Sequence, residues 1–167
     1  MKMTAITIRP AADADWPAIH SIIGPVLAAG ETYAVDRDLD EAGLRAYWMM
    51  PAHEVFVAEH EGQVVGTYYL MANQHGGGAH VANCGYMTAP EARGKGVARS
   101  MCLHSLDRAR QRGFRAMQFN HVVSTNTGAV ALWQKLGFDI VGTLPGAFAH
   151  PIQGYVDAYV MFRTLEG

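Results

Sequence analysis

The six residues Arg93–Ala98 carry the clearest chemical signal in the chain. They read Arg-Gly-Lys-Gly-Val-Ala, follow a β-like stretch that closes on a proline, and open a helix-like stretch. The first amides of a helix lack intrahelical partners and sit at the positive end of its dipole, so they favour an anion. Gly94 and Gly96 keep side chains off the backbone, while Arg93 and Lys95 add positive charge. The pattern predicts a pyrophosphate site; the alternative is a glycine-containing turn with solvated cations.

A second motif lies further along, from Asn126 to Phe138. It has the form N-x-x-A-x-x-L-aromatic-x-K-x-G-F, and the first motif can be written R-x-x-G-x-A. Together, in this order and with one predicted strand between them, the two motifs resemble the signature of the GNAT superfamily of acetyl-CoA-dependent N-acetyltransferases. The resemblance covers nearly the whole chain and is most specific from Asn83 to Phe138. It implies an enzyme that transfers an acetyl group from acetyl-CoA to an amine.

The resemblance also implies a set of cofactor contacts. Backbone groups of Met87 and Thr88 would bind the pantetheine arm, and an amide near Met87 would stabilise the oxyanion that forms during transfer. Asn126 would contact the pantetheine side, although Asn is also a good helix N-cap. Trp133, the aromatic residue of the second motif, would pack against the cofactor or the core. The amides that take the pyrophosphate would be those of Arg93, Gly94, Lys95, Gly96, Val97 and Ala98.

Two positions depart from the family pattern. Many GNAT proteins place a Tyr beside the CoA sulfur as general acid, but here the matching residue is Trp133, whose N–H has no usable pKa. Many also carry a Glu base on the strand before the phosphate loop, which here is the segment Arg93–Ala98. The corresponding stretch Val81–Tyr86 contains no Glu. Water is then the expected acid. Tyr86, Tyr155 and Tyr159 are alternatives that structural roles explain better.

The acceptor amine must lose a proton before it can attack. For an amine with a pKa of about 10 this costs roughly 4 kcal/mol at neutral pH, part of which desolvation can supply. Asn120 and His121 stand near the end of a predicted strand, where alternation places their side chains on opposite faces. At most one is therefore expected in the cleft; we favour Asn120, and His121 is a second candidate because it titrates in a useful range. The predicted catalytic residues are Asn120, Asn126 and Met87.

Neutral polar side chains dominate the expected acceptor pocket. They bind a carboxylate or an amide without net charge, which suits a small amino acid or imino acid and suits a polycationic aminoglycoside poorly. Buried Asn side chains also tie loops together, and Asn83 could have only that role. The predicted acceptor residues are Thr32, Tyr33, Asn73, Asn83, Asn120 and Tyr155, with Glu31, Phe148 and His150 as further candidates.

Several segments resemble one branch of the GNAT superfamily, whose members acetylate L-azetidine-2-carboxylate and related proline analogues. These segments are Asn83–Thr88, the phosphate loop, the pair Phe119-Asn120 and Leu144–Asp157. The resemblance makes detoxification of a small amino-acid analogue the concrete hypothesis. Two alternatives stay open: acetylation of a peptide or protein, and a non-catalytic CoA-binding sensor, which the missing Tyr and Glu would allow. Homodimers are common among GNAT proteins, so a homodimer is one assembly to test.

The elements that must position these residues mix strands and helices. Their arrangement predicts an α/β fold, and the resemblance implies a GNAT sheet of about six to seven strands, splayed in the middle, with helices on both faces. A long loop with Pro145, Gly146, Pro151 and Gly154 is expected before the last strand. The predicted strands are Thr4–Arg9, Glu54–His60, Gln63–Met71, Val81–Thr88, Arg115–Val123, Phe138–Val141 and Tyr155–Thr164. The predicted helices run from Asp13 to Gly30, Asp40 to Met50, Gly96 to Arg112 and Asn126 to Leu136.

The composition fits one compact domain over residues 1–167. Hydrophobic residues make up 50% of the chain and charged residues 17%, and the formal net charge of −2 gives no reason to expect nucleic acid or a membrane as partner. No apolar run reaches the roughly 18 residues of a membrane span and no signal-peptide pattern opens the chain, so a cytoplasmic protein is expected. Cys84 and Cys102 are expected to be reduced core residues. The histidines of the loop His75–His80 are too few for a metal site, so no metal is expected.

Overall fold

A central sheet of seven strands organises the molecule. The computed structural model describes residues 4–166. The strands lie in the order β1-β2-β3-β4-β5-β7-β6, and all neighbouring pairs are antiparallel except β4 and β5. The predicted mixed α/β sheet is confirmed. In chain order the strands are β1 Thr7–Pro10, β2 Glu54–His60, β3 Gln63–Ala72, β4 Val81–Thr88, β5 Ala116–Val123, β6 Asp139–His150 and β7 Gly154–Thr164.

Helices cover both faces of the sheet, as predicted. They are α1 Trp16–Ala29, α2 Glu41–Trp48, α3 Val97–Gln111 and α4 Thr127–Lys135. Successive residues of β3 point to opposite faces. Thr67 accepts a hydrogen bond of 3.1 Å from the indole N–H of Trp48 on α2, whereas the hydroxyl of Tyr68 lies 2.6 Å from Nδ1 of His104 on α3. The two helices therefore lie on opposite sides of the sheet.

The sheet splays between β4 and β5. Within the described chain these strands pair only at Val81 with Ala116 and at Ala82 with Met117, and beyond that point they separate. β5 then carries one extra residue between Phe119 and Val122 relative to its partner strand β7, which is a β-bulge. Across the gap that the splay leaves, the described backbone groups of β4 and β5 do not pair with one another.

The long loop predicted between the last two strands is wrong. β6 continues as far as His150, and a short turn precedes β7. Pro145 and Gly146 sit in an irregular stretch between Leu144 and Phe148, where the register with β7 shifts. β6 is an edge strand, and Pro145 lies where its register with β7 is interrupted, which are the positions in a sheet that accept a proline. The amide of Gly146 bonds instead to Oδ1 of Asp157 at 2.9 Å.

Close packing seats the start of α3 on β3. A Cβ placed on Gly66 would lie 2.8 Å from Cγ1 of Val97 and 3.0 Å from Cε of Met101, so only a glycine lets the helix approach this closely. This contact fixes the first turn of α3 and the loop that enters it. Cys84 and Cys102 are buried free thiols. Within residues 4–166, no helix is both long enough and apolar enough to cross a bilayer.

Candidate active site

The phosphate loop, residues 93–98, links β4 to α3. Two of its glycines adopt the left-handed conformation that other residues avoid: φ is +77° at Gly94 and +80° at Gly96. A Cβ placed on either one would meet no atom of residues 4–166 within 4 Å. The space above this backbone is therefore open, and a ligand can approach the main chain directly.

The first turn of α3 completes an anion site. The amide of Ser100 bonds to the carbonyl of Gly96 at 3.0 Å, so the amides before it have no intrahelical acceptor. Arg93, Lys95 and Arg99 are exposed around this turn. Unpaired amides, the positive end of the helix dipole and three cations favour a doubly charged group such as a diphosphate.

The hydrogen bonds of β4 show which of its backbone groups face the gap. The carbonyl of Val81 accepts from the amide of Asn73, and the amide of Ala89 donates to the carbonyl of Val65, each at 2.8 Å. Both partners lie toward β3. Because the backbone groups of successive strand residues point to opposite sides, odd-numbered residues of β4 face β3 and even-numbered ones face β5.

This alternation decides which amides a ligand in the gap can reach. The carbonyl of Tyr86 points into the gap, where it accepts a hydrogen bond of 2.8 Å from the hydroxyl of Tyr33. The amides of Tyr86 and Thr88 face the same way. Met87 is one of the odd-numbered residues, so its own amide faces β3. Of the two residues predicted to meet the pantetheine arm, Thr88 presents its amide to the gap and Met87 does not.

Asn126 stands at the start of α4. Its carbonyl accepts from the amide of Val130 at 3.1 Å, but its side chain forms no capping hydrogen bond with the described residues. The N-cap explanation for this residue is therefore not supported. Asn126 lines the same cleft as the phosphate loop, so its amide side chain is free to meet a ligand there.

Trp133 forms an aromatic wall of the cleft. Its ring lies 5.0 Å from that of Tyr86 and 5.2 Å from that of Phe119, and only 8% of the residue is exposed. The hydroxyl of Tyr86 is held at 2.6 Å from Oγ of Ser105 beneath α3. Burial raises the pKa of Tyr86 well above its usual value. Tyr86 is thus occupied in the core and is a poor proton donor to a thiolate.

Three tyrosines line the far end of the cleft: Tyr33, Tyr47 and Tyr69. The hydroxyls of Tyr47 and Tyr69 lie 3.4 Å apart. The ring of Tyr69 lies directly over Gly85, where a Cβ would come within 2.6 Å of it. Burial raises the pKa of all three tyrosines, so their hydroxyls are neutral at physiological pH.

A chain of amides joins the loop after β3 to β5. Nδ2 of Asn120 donates to Oδ1 of Asn73 at 2.6 Å, and Nε2 of Gln118 donates to Oδ1 of Asn120 at 2.8 Å. Asn83 lines the cleft on the opposite strand. This end of the cleft therefore offers hydroxyl and amide groups.

One continuous cleft of about 970 Å³ connects the phosphate loop with the tyrosine end. It follows the gap between β4 and β5. The chain matches the model of the Acetyltransferase (GNAT) family over residues 16–138, which span both motifs and the whole gap.

This chain belongs to the GNAT acetyltransferase family. Membership places it among the acetyl-CoA-dependent N-acetyltransferases. A solved GCN5-related N-acetyltransferase from Kribbella flavida is 48% identical, with a TM-score of 0.91 over 96% of this chain and 98% of the other.

Two curated relatives extend the comparison. N-acetyltransferase aca1 of Schizosaccharomyces pombe is 34% identical over 62% of this chain. The matched part covers about half (51%) of aca1. L-amino acid N-acetyltransferase AaaT of Escherichia coli K12 is 28% identical over 97% of this chain and 99% of AaaT.

The GNAT cleft brings most of the predicted site residues together. Gly96 and Val97 line a smaller pocket that also includes Gly94 and Ala98. Lys95 is exposed on the loop. The predicted residues that line the main cleft are Thr32, Tyr33, Asn83, Met87, Thr88, Arg93, Gly94, Ala98, Asn120, Asn126 and Trp133, together with Glu31 and His150.

Two predictions about the acceptor end need correction. Tyr155 lies outside the lining of the cleft and is 83% exposed, because the longer β6 moves it to the tip of the last hairpin. Asn73 reaches the site only through its hydrogen bond to Asn120. Asn120 and His121 both line the cleft, although regular alternation predicts that at most one of their side chains faces it. They lie in the bulge of β5, which breaks the regular alternation.

Sequence reasoning missed Tyr47 and Tyr69. The signal for Tyr69 was Gly85, a glycine inside a strand, which indicates a close approach by another group. Tyr47 had no such signal, because its role depends on how α2 packs over β3. Among residues 4–166, no group of three or more His, Cys, Asp or Glu side chains is arranged to hold a metal ion.

Proposed function

We propose that this GNAT protein transfers the acetyl group of acetyl-CoA to the amine of a small amino acid or imino acid. The observation that carries the proposal is the single cleft with two chemically different ends. One end is a helix N-terminus with unpaired amides and cations, and the other is lined mainly by neutral hydroxyl and amide groups. The parted strands connect them.

The proposed cofactor contacts follow from the open backbone of the phosphate loop. Amides at the start of α3 would take the diphosphate, and Asn126 would bond to the pantetheine arm. The amides of Tyr86 and Thr88 face the gap and would pair with that arm. One of these two would also donate to the acetyl carbonyl oxygen as negative charge develops during attack. The chemistry that acetyl-CoA supplies is an activated thioester.

The acceptor end favours a small substrate. His150 at the end of β6, and Ile152 and Gln153 in the turn that follows it, line the cleft. Glu31 and Thr32, in the connection after α1, also contribute to the lining. We expect an acceptor end formed by these two connections to suit a small molecule better than an extended peptide. The similarity to AaaT, an L-amino acid N-acetyltransferase, supports the same class of substrate.

Charge supports a zwitterion with one ammonium group. The charged side chains that line the cleft are Glu31 at the acceptor end and Arg93 at the phosphate loop. A polycationic acceptor would need several carboxylates near its amines. Hydroxyls and amides can bond to a carboxylate without introducing a strong electrostatic preference. Proline analogues such as L-azetidine-2-carboxylate fit this description and are the specific acceptors that we propose.

An acceptor panel tests the proposal. Purified protein is incubated with acetyl-CoA, and thiol release is measured with L-amino acids, L-proline, L-azetidine-2-carboxylate, an aminoglycoside and peptides with free N-terminal and lysine amines. We expect the largest kcat/KM for a small amino or imino acid. A higher kcat/KM for peptides would favour a peptide acetyltransferase. Tight acetyl-CoA binding without turnover of any amine would favour a sensor.

A further inference from the structure

We propose that His121 is the base that removes the proton from the acceptor amine. The inference rests on the proposed function and assigns a residue to the step for which the usual glutamate is missing. It follows from the place of His121 in the lining of the cleft, and from the burial or the hydrogen bonds of the other candidates.

The bulge in β5 coincides with the two residues, Asn120 and His121, that line the cleft. Phe119 pairs with Met161 and Val122 pairs with Tyr159, so three steps along β5 correspond to two steps along β7. The backbone at Asn120 and His121 therefore lies outside the regular pairing of the two strands. His121 lines the cleft, and its ring lies 6.0 Å from that of Phe148 on β6. A regular strand would have turned one of the pair away.

Nε2 of His121 is buried and unpaired. Within residues 4–166 it is the one buried side-chain nitrogen or oxygen that has no hydrogen-bond partner. A buried polar atom normally has a partner, so an unpaired nitrogen on a residue that lines a ligand cleft points to a group that a ligand can reach when it binds. The lone pair of an imidazole is the acceptor that a proton transfer near neutral pH needs.

The tyrosines and the thiol in the cleft cannot take this role. Burial raises the pKa of Tyr33, Tyr47, Tyr69 and Tyr86, so these hydroxyls keep their protons at neutral pH. Burial likewise raises the pKa of Cys84. Each of these groups can donate a hydrogen bond but has no anionic form available to accept a proton.

The second histidine in the cleft is occupied by the turn that follows it. Nδ1 of His150 accepts from the amides of Ile152 and Gln153 at 3.2 Å and 3.1 Å. A neutral imidazole that accepts at Nδ1 carries its hydrogen on Nε2, so His150 has no free lone pair. Arg93 is a permanent cation at the other end of the cleft. Glu31 is exposed on the connection after α1, and it is the remaining rival.

The proposed step balances as follows. Nε2 of His121 takes one proton from the ammonium group, which leaves a neutral amine and an imidazolium. The amine nitrogen forms a bond to the acetyl carbon, the bond from that carbon to sulfur breaks, and sulfur leaves with the electron pair. The second proton on nitrogen goes to the thiolate through water, and the imidazolium releases its proton to solvent. No oxidant or metal is needed.

The pH dependence of kcat/KM tests this assignment. His121→Asn and His121→Gln are compared with wild type and with Glu31→Gln, using the best amino-acid acceptor from the panel. We expect the kcat/KM of wild type to rise with pH as the imidazole of the base loses its proton. This rising part of the profile is called the imidazole limb below. In both His121 variants, kcat/KM at neutral pH should fall about 100-fold or more, which is the usual contribution of general-base catalysis. Their kcat/KM should recover as the pH approaches the pKa of the free amine. Their affinity for acetyl-CoA should stay within about twofold of wild type, a difference well below one hydrogen bond.

Each other outcome counts against the assignment. If the His121 variants keep the imidazole limb of the kcat/KM profile, or if only Glu31→Gln loses it, the inference is overturned and the proposed function stands. A wild-type protein that acetylates no amine overturns both. If neither variant folds, the imidazole pKa of His121 in wild type, measured by NMR, must match the limb of the rate profile; a mismatch overturns the inference.

Discussion

At the scale of single residues, the proposed cofactor site depends on backbone amides that no side chain covers. Gly96 is both the residue before α3 and the open floor of the phosphate loop. Asn126 is a polar residue at a helix start whose side chain does no capping. For each of these residues a role in ligand binding can be separated from a role in folding, because the chain offers matched controls.

Replacement of Gly96 by Val should abolish tight binding of acetyl-CoA. A side chain there would fill the space that a phosphate needs, and we expect the Kd to rise at least about 100-fold, the loss of one or two charge-assisted hydrogen bonds. Isothermal titration measures this. Gly113→Val is the matched control, since Gly113 also has a positive φ, of +85°, and also has open space where a Cβ would sit. It lies at the other end of α3, so it should share the backbone strain and keep the affinity. Equal affinity in the two variants would contradict the assignment.

Replacement of Asn126 by Ala should weaken cofactor binding without destabilising the fold. Loss of one hydrogen bond to the pantetheine arm should raise the Kd for acetyl-CoA about tenfold. The Tm should not change, because the side chain makes no cap bond. Asp40→Ala is the opposite case: Oδ1 of Asp40 accepts from the amide of Gly43 at 2.8 Å, so its loss should cost about 1 kcal/mol of stability and leave the Kd unchanged. A lower Tm for Asn126→Ala at unchanged Kd would restore the capping explanation.

At the scale of elements, the seat of α3 on β3 positions the phosphate loop. Gly66→Ala should destabilise the fold by about 1–3 kcal/mol, because the added methyl overpacks the contact with Val97 and Met101. It should also weaken acetyl-CoA binding, since those residues carry the first turns of the helix. Chemical denaturation and titration measure the two effects. Gly142→Ala, on β6, is the control because a Cβ there has open space among the described residues. A Gly66→Ala protein with wild-type stability and affinity would contradict this seat.

Some elements of the fold could be predicted from local sequence, and others depend on strand pairing. Both motifs, most strand and helix positions and the glycine-containing loop before α3 were predictable, because helix starts and glycine spacing are local properties of the chain. β6 was not, because Pro145 and Gly146 indicate a loop unless the strand lies at a sheet edge. The bulge at Asn120 and His121 was not predictable either, since it depends on the register between β5 and β7. Both features depend on how strands that are distant in the sequence pair with each other.

At the scale of the whole molecule, stability should fall as the pH drops below about 6.5. Burial lowers the pKa of His53 and His104 from the ordinary value of 6.5. The unfolded chain therefore binds protons more readily than the folded one in this range, so the free energy of unfolding decreases with falling pH. The carboxyl of Asp15, whose pKa Arg9 lowers from 3.8, adds a further loss only at more acid pH.

Urea denaturation at pH 7.5 and pH 5.5 measures this effect. We expect wild type to lose stability at the lower pH and a His53→Phe/His104→Phe double variant to lose less, whatever its stability at pH 7.5. An equal loss in both proteins would show that other groups are responsible.

An amide NMR titration with CoA tests the central claim most directly, because it reports where the nucleotide lies on the main chain. We predict the largest shifts at the amides of residues 94–99, with further shifts at Tyr86, Thr88 and Asn126 along the gap. Shifts confined to other parts of the molecule, such as β6 or the turn before β7, would contradict the proposed cofactor site.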